Sequence, residues 1–563
     1  MSLFEDILKA RGLTGEVREL FLSPRYETGH DPFLLPDMDK AVDRLVKARE
    51  MQEKITIYGD YDIDGLTATT VLLDAFESFG FENVDAFIPN RFVEGYGLTV
   101  DAVERIAAAG ATLVVTVDCG SLSEKEIVRA GELGVEVIVT DHHNVAPVQP
   151  PAVGVINPKR LLQDYPEEYE KLQLKADSEL QGKIYPFLDL PGVGVAFKLV
   201  QALQTRLEGL SVGQEKWLLD LVALGTVCDV VTLVDENRMH VSWGLKVLSK
   251  TRRPGLRALM TVAGVEPEQV NARHLGFGLG PRMNAAGRLE TAQYALDMLR
   301  AKDGRLALEK ANQLDALNLA RRGEQDKIFK EAIIQAEQYK NDSVLVVSSP
   351  GWSHGIIGIV AAKLLEKYQK PTYVLEELGD EAKGSARSYG DFSAADAIRA
   401  SDDLITKGGG HKLAAGVTLP TANIAAFRAR VNEFYRSQKL FNQQALLLPK
   451  ADVTVVDFSE LNEELLDALA AMEPFGSANP EPILRAEAVL VTGLRRMGAE
   501  AQHVKLELQD KTGRPLQALA FSAPPHFFVE PGEYVTVWFQ PMLNEWQGRK
   551  SVEGRLLHLE TSD

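Results

Sequence analysis

The residues of this sequence best suited to chemistry are carboxylates and imidazoles gathered in short segments: Gly59-Asp60-Tyr61-Asp62-Ile63-Asp64-Gly65, Asp118-Cys119-Gly120, Asp141-His142-His143 and Asp229. In the first, Asp60, Asp62 and Asp64 alternate, so in extended backbone they point to one side. Three like charges that close repel one another unless a cation lies between them, and an oxygen-rich site suits magnesium or manganese. A calcium loop of the EF-hand kind does not fit, because the twelfth position counted from Asp60 is Val71 instead of glutamate. If the segments meet, their carboxylates and imidazoles could hold two divalent metals, the arrangement that clamps both the attacking and the leaving oxygen of a phosphoryl group.

The elements that must bring them together are legible around each segment. Residues 55–57 form a short β-prone run, and residues 66–73 read as the first turns of a buried helix. Further β-prone runs at 84–88, 113–117 and 135–139 alternate with helical patterns at 101–109 and 124–133. That alternation predicts a parallel sheet covered on both faces, with ligands at the carboxyl ends of its strands. Asp118 and Asp141-His142-His143 directly follow two of these runs, and Asp229 closes a further apolar stretch at 221–228. Cys119 and Cys228 stand beside presumed site residues, and neighbours in extended backbone face opposite sides. Both thiols are therefore expected in the apolar core.

At 563 residues the chain is long enough for several domains, and its 45% hydrophobic and 25% charged content is that of a globular protein. The start of the sequence has no secretory pattern, no run is long and apolar enough for a membrane span, and two cysteines provide no disulfide framework. These features predict a cytoplasmic protein without a membrane partner. The net charge of −19 argues against broad electrostatic binding of nucleic acid, so such a substrate would need a local basic path helped by cations in the site.

The four segments, in order, resemble the signature motifs of the DHH phosphoesterase superfamily, and the resemblance runs over nearly the whole chain toward its RecJ family of single-strand-specific exonucleases. It implies that Asp62, Asp64, Asp118, His142, His143 and Asp229 are metal ligands or their immediate partners, with Asp60 a further member of the set. Two Mn2+ or Mg2+ ions would be the cofactors. His142, His143 and Asp141 would assist catalysis. Many relatives carry histidine where this chain has Tyr58, so one ligand is expected to be missing or replaced by water. The implied activity is hydrolysis of single-stranded DNA from the 5′ end to 5′-mononucleotides, in repair and recombination. A single-strand-binding protein and a helicase are the implied partners. Alternatives within the superfamily are a phosphodiesterase for short oligonucleotides or cyclic dinucleotides, and a non-catalytic replication scaffold. A C-terminal barrel, expected at 451–563, speaks against the first, and the intact motif carboxylates against the second.

With the resemblance, the chain is expected to divide into an N-terminal arm (1–45), a catalytic parallel-sheet DHH domain (46–300), a connecting helix (301–340, with an interruption expected near Gly323), an α/β DHHA1 domain (341–440) and an all-β OB-fold barrel (451–563). Residues 158–186 read as a solvated surface insertion. The glycines of 190–198 are read as tight helix packing beside the Asp229 segment. Arg282, Asn284 and Arg288 lie among small residues that let a backbone approach closely, and they match a family motif that lines the substrate path. In the second α/β region, Ser385 and Arg387 with the glycine-rich loop Gly409-Gly410-His411 offer donors for an anion. A role for His354 is not carried over, since many relatives place histidine directly after the tryptophan, where Ser353 stands. In the barrel, Trp538, Phe539 and Trp546 are candidates for base stacking, and Arg549-Lys550 and Arg495-Arg496 are its local basic spots.

Overall fold

The computed structural model describes residues 2–173, 180, 182–438, 440, 446–546 and 548–561. Two compact units divide the chain. One comprises Met1–Asp315 and Pro449–Asp563, the other Ala316–Leu448.

Strands β1 (Ile55–Gly59), β2 (Val84–Phe87), β3 (Leu113–Val117), β4 (Glu136–Thr140) and β5 (Gly154–Ile156) form one sheet in the order β2-β1-β3-β4-β5, all parallel. β1 and β3 are buried throughout, which is why they read as unbroken apolar runs. Parallel neighbours need long crossovers, and the helices Ile63–Phe79, Val100–Ala108 and Glu124–Glu132 supply them. The register decides the function. Gly59, Val117 and Thr140 lie in one row across β1, β3 and β4, so the next residues, Asp60, Asp118 and Asp141, leave the sheet side by side. Strand order reverses between β1 and β3, the position where open α/β sheets bind ligands.

Residues 161–173, expected to be a plain solvated insertion, contain the short helices Leu161–Asp164 and Pro166–Gln173, and Tyr185 beyond them is fully buried against Glu236. Residues 174–179 and 181 of that stretch lie outside the described residues. The helix Gly304–Gln338 runs for 35 residues without a break at Gly323. One glycine in a helix costs only about 1 kcal/mol relative to alanine, too little to interrupt so long an element.

In the second unit, β6 (Leu345–Pro350), β7 (Thr372–Leu378), β8 (Glu381–Arg387), β9 (Lys407–Gly410) and β10 (Ala414–Pro420) form a mixed sheet in the order β6-β7-β8-β10-β9. Only the β6–β7 pair among them is parallel. The helix His354–Tyr368 packs on it.

The C-terminal strands are β11 (Val453–Thr454), β12 (Leu484–Met497), β13 (His503–Gln509), β14 (Pro515–Ala520), β15 (Tyr534–Trp546) and β16 (Arg549–Thr561). They run β11-β12-β13-β14-β16-β15, and pairing of β12 with β15 closes five of them into a barrel. Alternating inward residues such as Val504, Leu506 and Leu508 fill its core. Leu3, Ile7 and Leu8 of the first helix, Leu3–Ala10, join the same core, so the N-terminal arm packs on the barrel.

Candidate metal centre

The chain turns from β1 into the Ile63–Phe79 helix through Asp60, Tyr61 and Asp62. The aspartates are therefore not one face of an extended strand, as their alternation predicts. Asp62 caps the helix, its Oδ1 accepting from Asp64 N at 2.9 Å and Gly65 N at 3.2 Å, and Asp64 sits in the first turn. The turn is tight enough that a Cβ on Gly65 would lie 2.5 Å from Asp60 O. Asp64 is buried, and its two oxygens accept from Gly192 N at 2.5 Å and Val193 N at 2.8 Å, at the start of the helix Gly192–Leu203. The glycines of that segment thus serve close packing against the site. A Cβ on Gly192 would meet Asp118 Cβ at 2.7 Å. Asp118 follows β3 with φ +62°, a left-handed conformation that non-glycine residues seldom adopt. Asp229 ends the helix Leu219–Cys228.

Together these elements bring Asp60, Asp62 and Asp118 into one group, Asp118, His142 and His143 into a second, and Asp64, His142 and Asp229 into a third. Within each, ligand atoms lie within 4.8 Å of one another. His142 Nε2 lies 3.1 Å from Asp118 Oδ1, 3.7 Å from Asp229 Oδ2 and 3.8 Å from Asp64 Oδ2. Burial and the neighbouring His143 hold the His142 ring down to about 3, so it is neutral near pH 7. Among the described residues, His142 Nε2, Asp118 Oδ1 and Asp60 Oδ1 are buried with no hydrogen-bond partner. Bare acceptors turned toward one another this way fit a divalent cation between them. Burial and then the neighbouring carboxylates push Asp60 and Asp118 well above the usual carboxylate range, Asp64 to about 7 and Asp229 to about 9. Such crowding is relieved by a cation.

Asp141 plays a different part from the other aspartates. It accepts from Ser121 N (2.9 Å), His142 N (2.7 Å), His143 N (3.0 Å) and the His143 ring at Nδ1 (2.9 Å). Burial would raise it, but the His143 hydrogen bond and both imidazoles hold it below the ordinary carboxylate range. It is the carboxylate that orients His143, whose Nδ1 also lies 3.7 Å from Asp118 Oδ1. Tyr58 is fully buried in the sheet's core, donates to Gly97 O at 2.8 Å and stacks on Phe87, so it points away from the carboxylates. Cys119 is buried in that core too, as expected, whereas Cys228 is half-buried beside Leu275.

Sequence reasoning missed several supporting side chains. Tyr96 Oη lies 3.1 Å from His143 Nδ1 and 3.3 Å from Asp118 O. Asn157, the residue after β5, ties Ser121 Oγ to His143 O. Arg91 lies 4.2 Å over the Tyr61 ring. Asn157 ends a strand on the same edge as Asp141, a signal that was available. Arg91 and Tyr96 lie in a loop whose glycines alone marked it.

The other expected site residues are distributed over the molecule. Arg282, Asn284 and Arg288 ride on the helix Gly280–Leu289, where a Cβ on Gly287 would come 3.1 Å from Tyr61 O in the aspartate turn. Arg282 is already engaged, donating to Asp315 at 2.8 Å and to Gly278 O at 2.7 Å. In the second unit, Ser385, Gly416 and Gly409 stand opposite one another across β8, β10 and β9. Gly409 and Gly410 therefore belong to an edge strand, not to the loop expected, because pairing with β10 overrides the glycines' own preference; His411 opens the turn into β10, donating its N–H to Ala414 O at 2.8 Å. Arg387 is held at Ser385 Oγ (3.3 Å) and Ala386 O (2.8 Å), and Gly358 of the helix His354–Tyr368 passes close enough that a Cβ would meet both side chains. In the barrel, Phe539 is fully buried in the core and offers no stacking surface, which corrects the expectation. Trp538 faces outward, half-buried, between Arg485 and His558. The Trp546 side chain lies outside those described. Arg549 and Lys550 are exposed at the start of β16.

Family models match residues 54–226 (DHH family, N-terminal domain), 341–437 (DHHA1 domain) and 454–558 (RecJ OB domain). The single-stranded-DNA-specific exonuclease RecJ of Salmonella typhimurium is 33% identical over 92% of this chain and 89% of its own length. The chain belongs to the RecJ family. RecJ of Bacillus subtilis is 36% identical over 97% of this chain, which spans about two thirds (66%) of that relative's length. The crystal structure of Thermus thermophilus RecJ in complex with Mn2+ superposes with a TM-score of 0.80 at 28% identity, covering 100% of this chain and 79% of that one. A second exonuclease RecJ structure bound to manganese matches with a TM-score of 0.61 at 32% identity over 74% of this chain and 97% of that chain. Among the described residues no helix is long and apolar enough to cross a membrane.

Proposed function

We propose that this chain is a divalent-metal-dependent exonuclease that hydrolyses single-stranded DNA, working from the 5′ end and releasing 5′-mononucleotides. The observation that carries the reading is the set of buried, unpartnered acceptors on Asp60, Asp118 and His142, flanked by Asp62, Asp64, His143 and Asp229. These residues would hold two ions, Mn2+ or Mg2+, which supply Lewis-acid neutralisation of phosphoryl charge and a more acidic water. Of His142 and His143, the ring that does not hold an ion assists the proton transfer, and Asp141 fixes His143 through Nδ1. Arg288 and Asn284, beside the aspartate turn, contact the phosphates next to the scissile bond, with Arg282 of the same helix.

The division into arm, DHH, connecting helix, DHHA1 and barrel assigns the remaining roles. Ser385, Arg387, Gly409, Gly410 and His411 hold the 5′-terminal phosphate, and Arg549 and Lys550 contact the strand along the barrel. The protein acts in the cytoplasm in repair and recombination, beside a single-strand-binding protein and a helicase. The test is a time course on single strands labelled at either end, with Mn2+ or with chelator. The reading predicts mononucleotide release from a 5′-label at the earliest times, none with chelator, and little on blunt duplex. Internal cleavage, or release first from the 3′ end, would contradict it.

A further inference from the structure

The Asp229 carboxylate reaches the site at the head of a constrained path. Val230, directly after it, has φ +62°, a strained conformation for a β-branched residue that persists only where the surroundings impose it. What imposes it is a two-sided clamp on the next residues. On one side Asp189 Oδ2 accepts from Thr232 N at 2.8 Å and from Thr232 Oγ1, and Asn237 Nδ2 bridges Asp189 O (2.6 Å) and Thr232 O (3.0 Å). On the other side the clamp comes from the far end of the sequence. Leu233 N donates to Ser477 O at 2.9 Å, and Gly476 packs so closely that a Cβ there would lie 2.7 Å from Leu233 Cδ1.

The same distant loop is anchored again five residues on. Arg238 is buried, and it donates to Glu473 O at 2.9 Å, Pro474 O at 3.4 Å and Phe21 O at 2.9 Å, with its guanidinium 3.7 Å from the Phe21 ring centroid. Asn479 makes the loop rigid from inside, donating to Met472 O (3.0 Å) and Pro474 O (2.8 Å) and accepting from Arg11 at 3.0 Å. A buried guanidinium satisfied by three carbonyls is costly to place and lost if those carbonyls move.

We propose that residues 473–479, which precede the barrel, are a positioning element of the metal centre: with Arg238 they hold residues 230–233 in the strained path that delivers Asp229 to Asp64 and His142. The proposal rests on the metal reading above and adds to it that the barrel segment helps to build the site as well as to contact DNA. Mn2+ binding is measured by calorimetry without DNA, beside the Mn2+ dependence of hydrolysis, for Gly476→Val, Arg238→Ala, Arg238→Lys and a control, Glu500→Ala, in an exposed turn of the barrel. Gly476→Val and Arg238→Ala should weaken Mn2+ binding about tenfold or more, as changes to groups that orient a ligand do. Their turnover should recover at saturating Mn2+, Arg238→Lys should lie between them and the wild type, and the control should match the wild type. Should Arg238→Ala fail to fold, Gly476→Val decides. An unchanged isotherm in a folded Gly476→Val, or a loss that saturating Mn2+ does not restore, overturns the proposal. A wild type that binds no Mn2+ overturns the metal reading, and this proposal with it.

Discussion

Asp118 combines two properties that pull in opposite directions. Its backbone is left-handed and its carboxylate is buried among like charges, so it is costly to the fold and central to the site. Asparagine tolerates the left-handed region well and carries no charge. Asp118→Asn should therefore fold, and without metal it should be more stable than the wild type by roughly 1 kcal/mol or more, read as a higher Tm in chelator. Hydrolysis should fall by more than the roughly 10–100-fold seen when a group behind a ligand is lost, and Mn2+ should no longer raise the Tm as it does for the wild type. A Tm below that of the wild type in chelator would show that the carboxylates are not in conflict. At this scale the sequence was readable wherever residue type alone sets the chemistry, as with the aspartates and His142-His143. It was not readable where direction matters. Asp141 turns back to His143, Tyr58 turns into the core, and Phe539 faces the barrel interior, none of which residue type reveals.

At the scale of elements, strands β1, β3 and β4 were visible as apolar runs, because a doubly covered parallel sheet buries both faces of each strand. The edge strand holding Gly409 and Gly410 was not, because only its neighbour β10 makes it a strand. The arm was legible as a separate N-terminal stretch, but what holds it was not: it is pinned by a buried pair between helices Gly192–Leu203 and Asp235–Leu248. Lys198 Nζ lies 2.8 Å from Glu236 Oε1, which also accepts from His30 N at 2.9 Å. Burial opposes ionisation of Glu236, but Lys198 and the nearby histidines bring it down to about 2. Glu236→Gln should cost about 3–5 kcal/mol by leaving Lys198 buried without its counter-charge. His240, fully buried among Glu236, Lys198, Asp235 and His30, is held down to about 4, chiefly by burial. Between pH 6.5 and 4 the unfolded chain takes up a proton that folded His240 refuses, so stability falls as pH falls, by at most about 3 kcal/mol from this group. The Glu236 contribution is full above about pH 4.5 and is lost toward pH 2. The raised carboxylates of the metal centre contribute the opposite slope, so His240 shows in the difference between variant and wild type: the denaturant midpoint of His240→Leu relative to the wild type should rise as pH falls from 7 to 4. A His240→Leu profile as steep as the wild type's would place the acid sensitivity elsewhere.

Over the whole molecule, a net charge of −19 leaves DNA binding to local features. Deleting the barrel would not isolate its role, because Leu3, Ile7 and Leu8 share its core and Arg238 is capped by its leading loop. Substitution of exposed Arg549 and Lys550 is the cleaner test. The double alanine variant should weaken binding to long single strands, and reduce the slope of log affinity against log salt by up to about 1.4, two phosphate contacts on a single strand. An unchanged slope would remove them from the DNA path. The barrel itself was anticipated at 451–563. β14 and β16 were not, since their closure depends on pairing that no local pattern encodes. Hydrolysis depends on the metal centre, and anomalous scattering from crystals soaked in Mn2+ tests that centre most directly. Two peaks are predicted among Asp60, Asp62, Asp64, Asp118, His142, His143 and Asp229, both absent after chelation. An enzyme that hydrolyses DNA in the same Mn2+ buffer while showing no peak among those residues would contradict it.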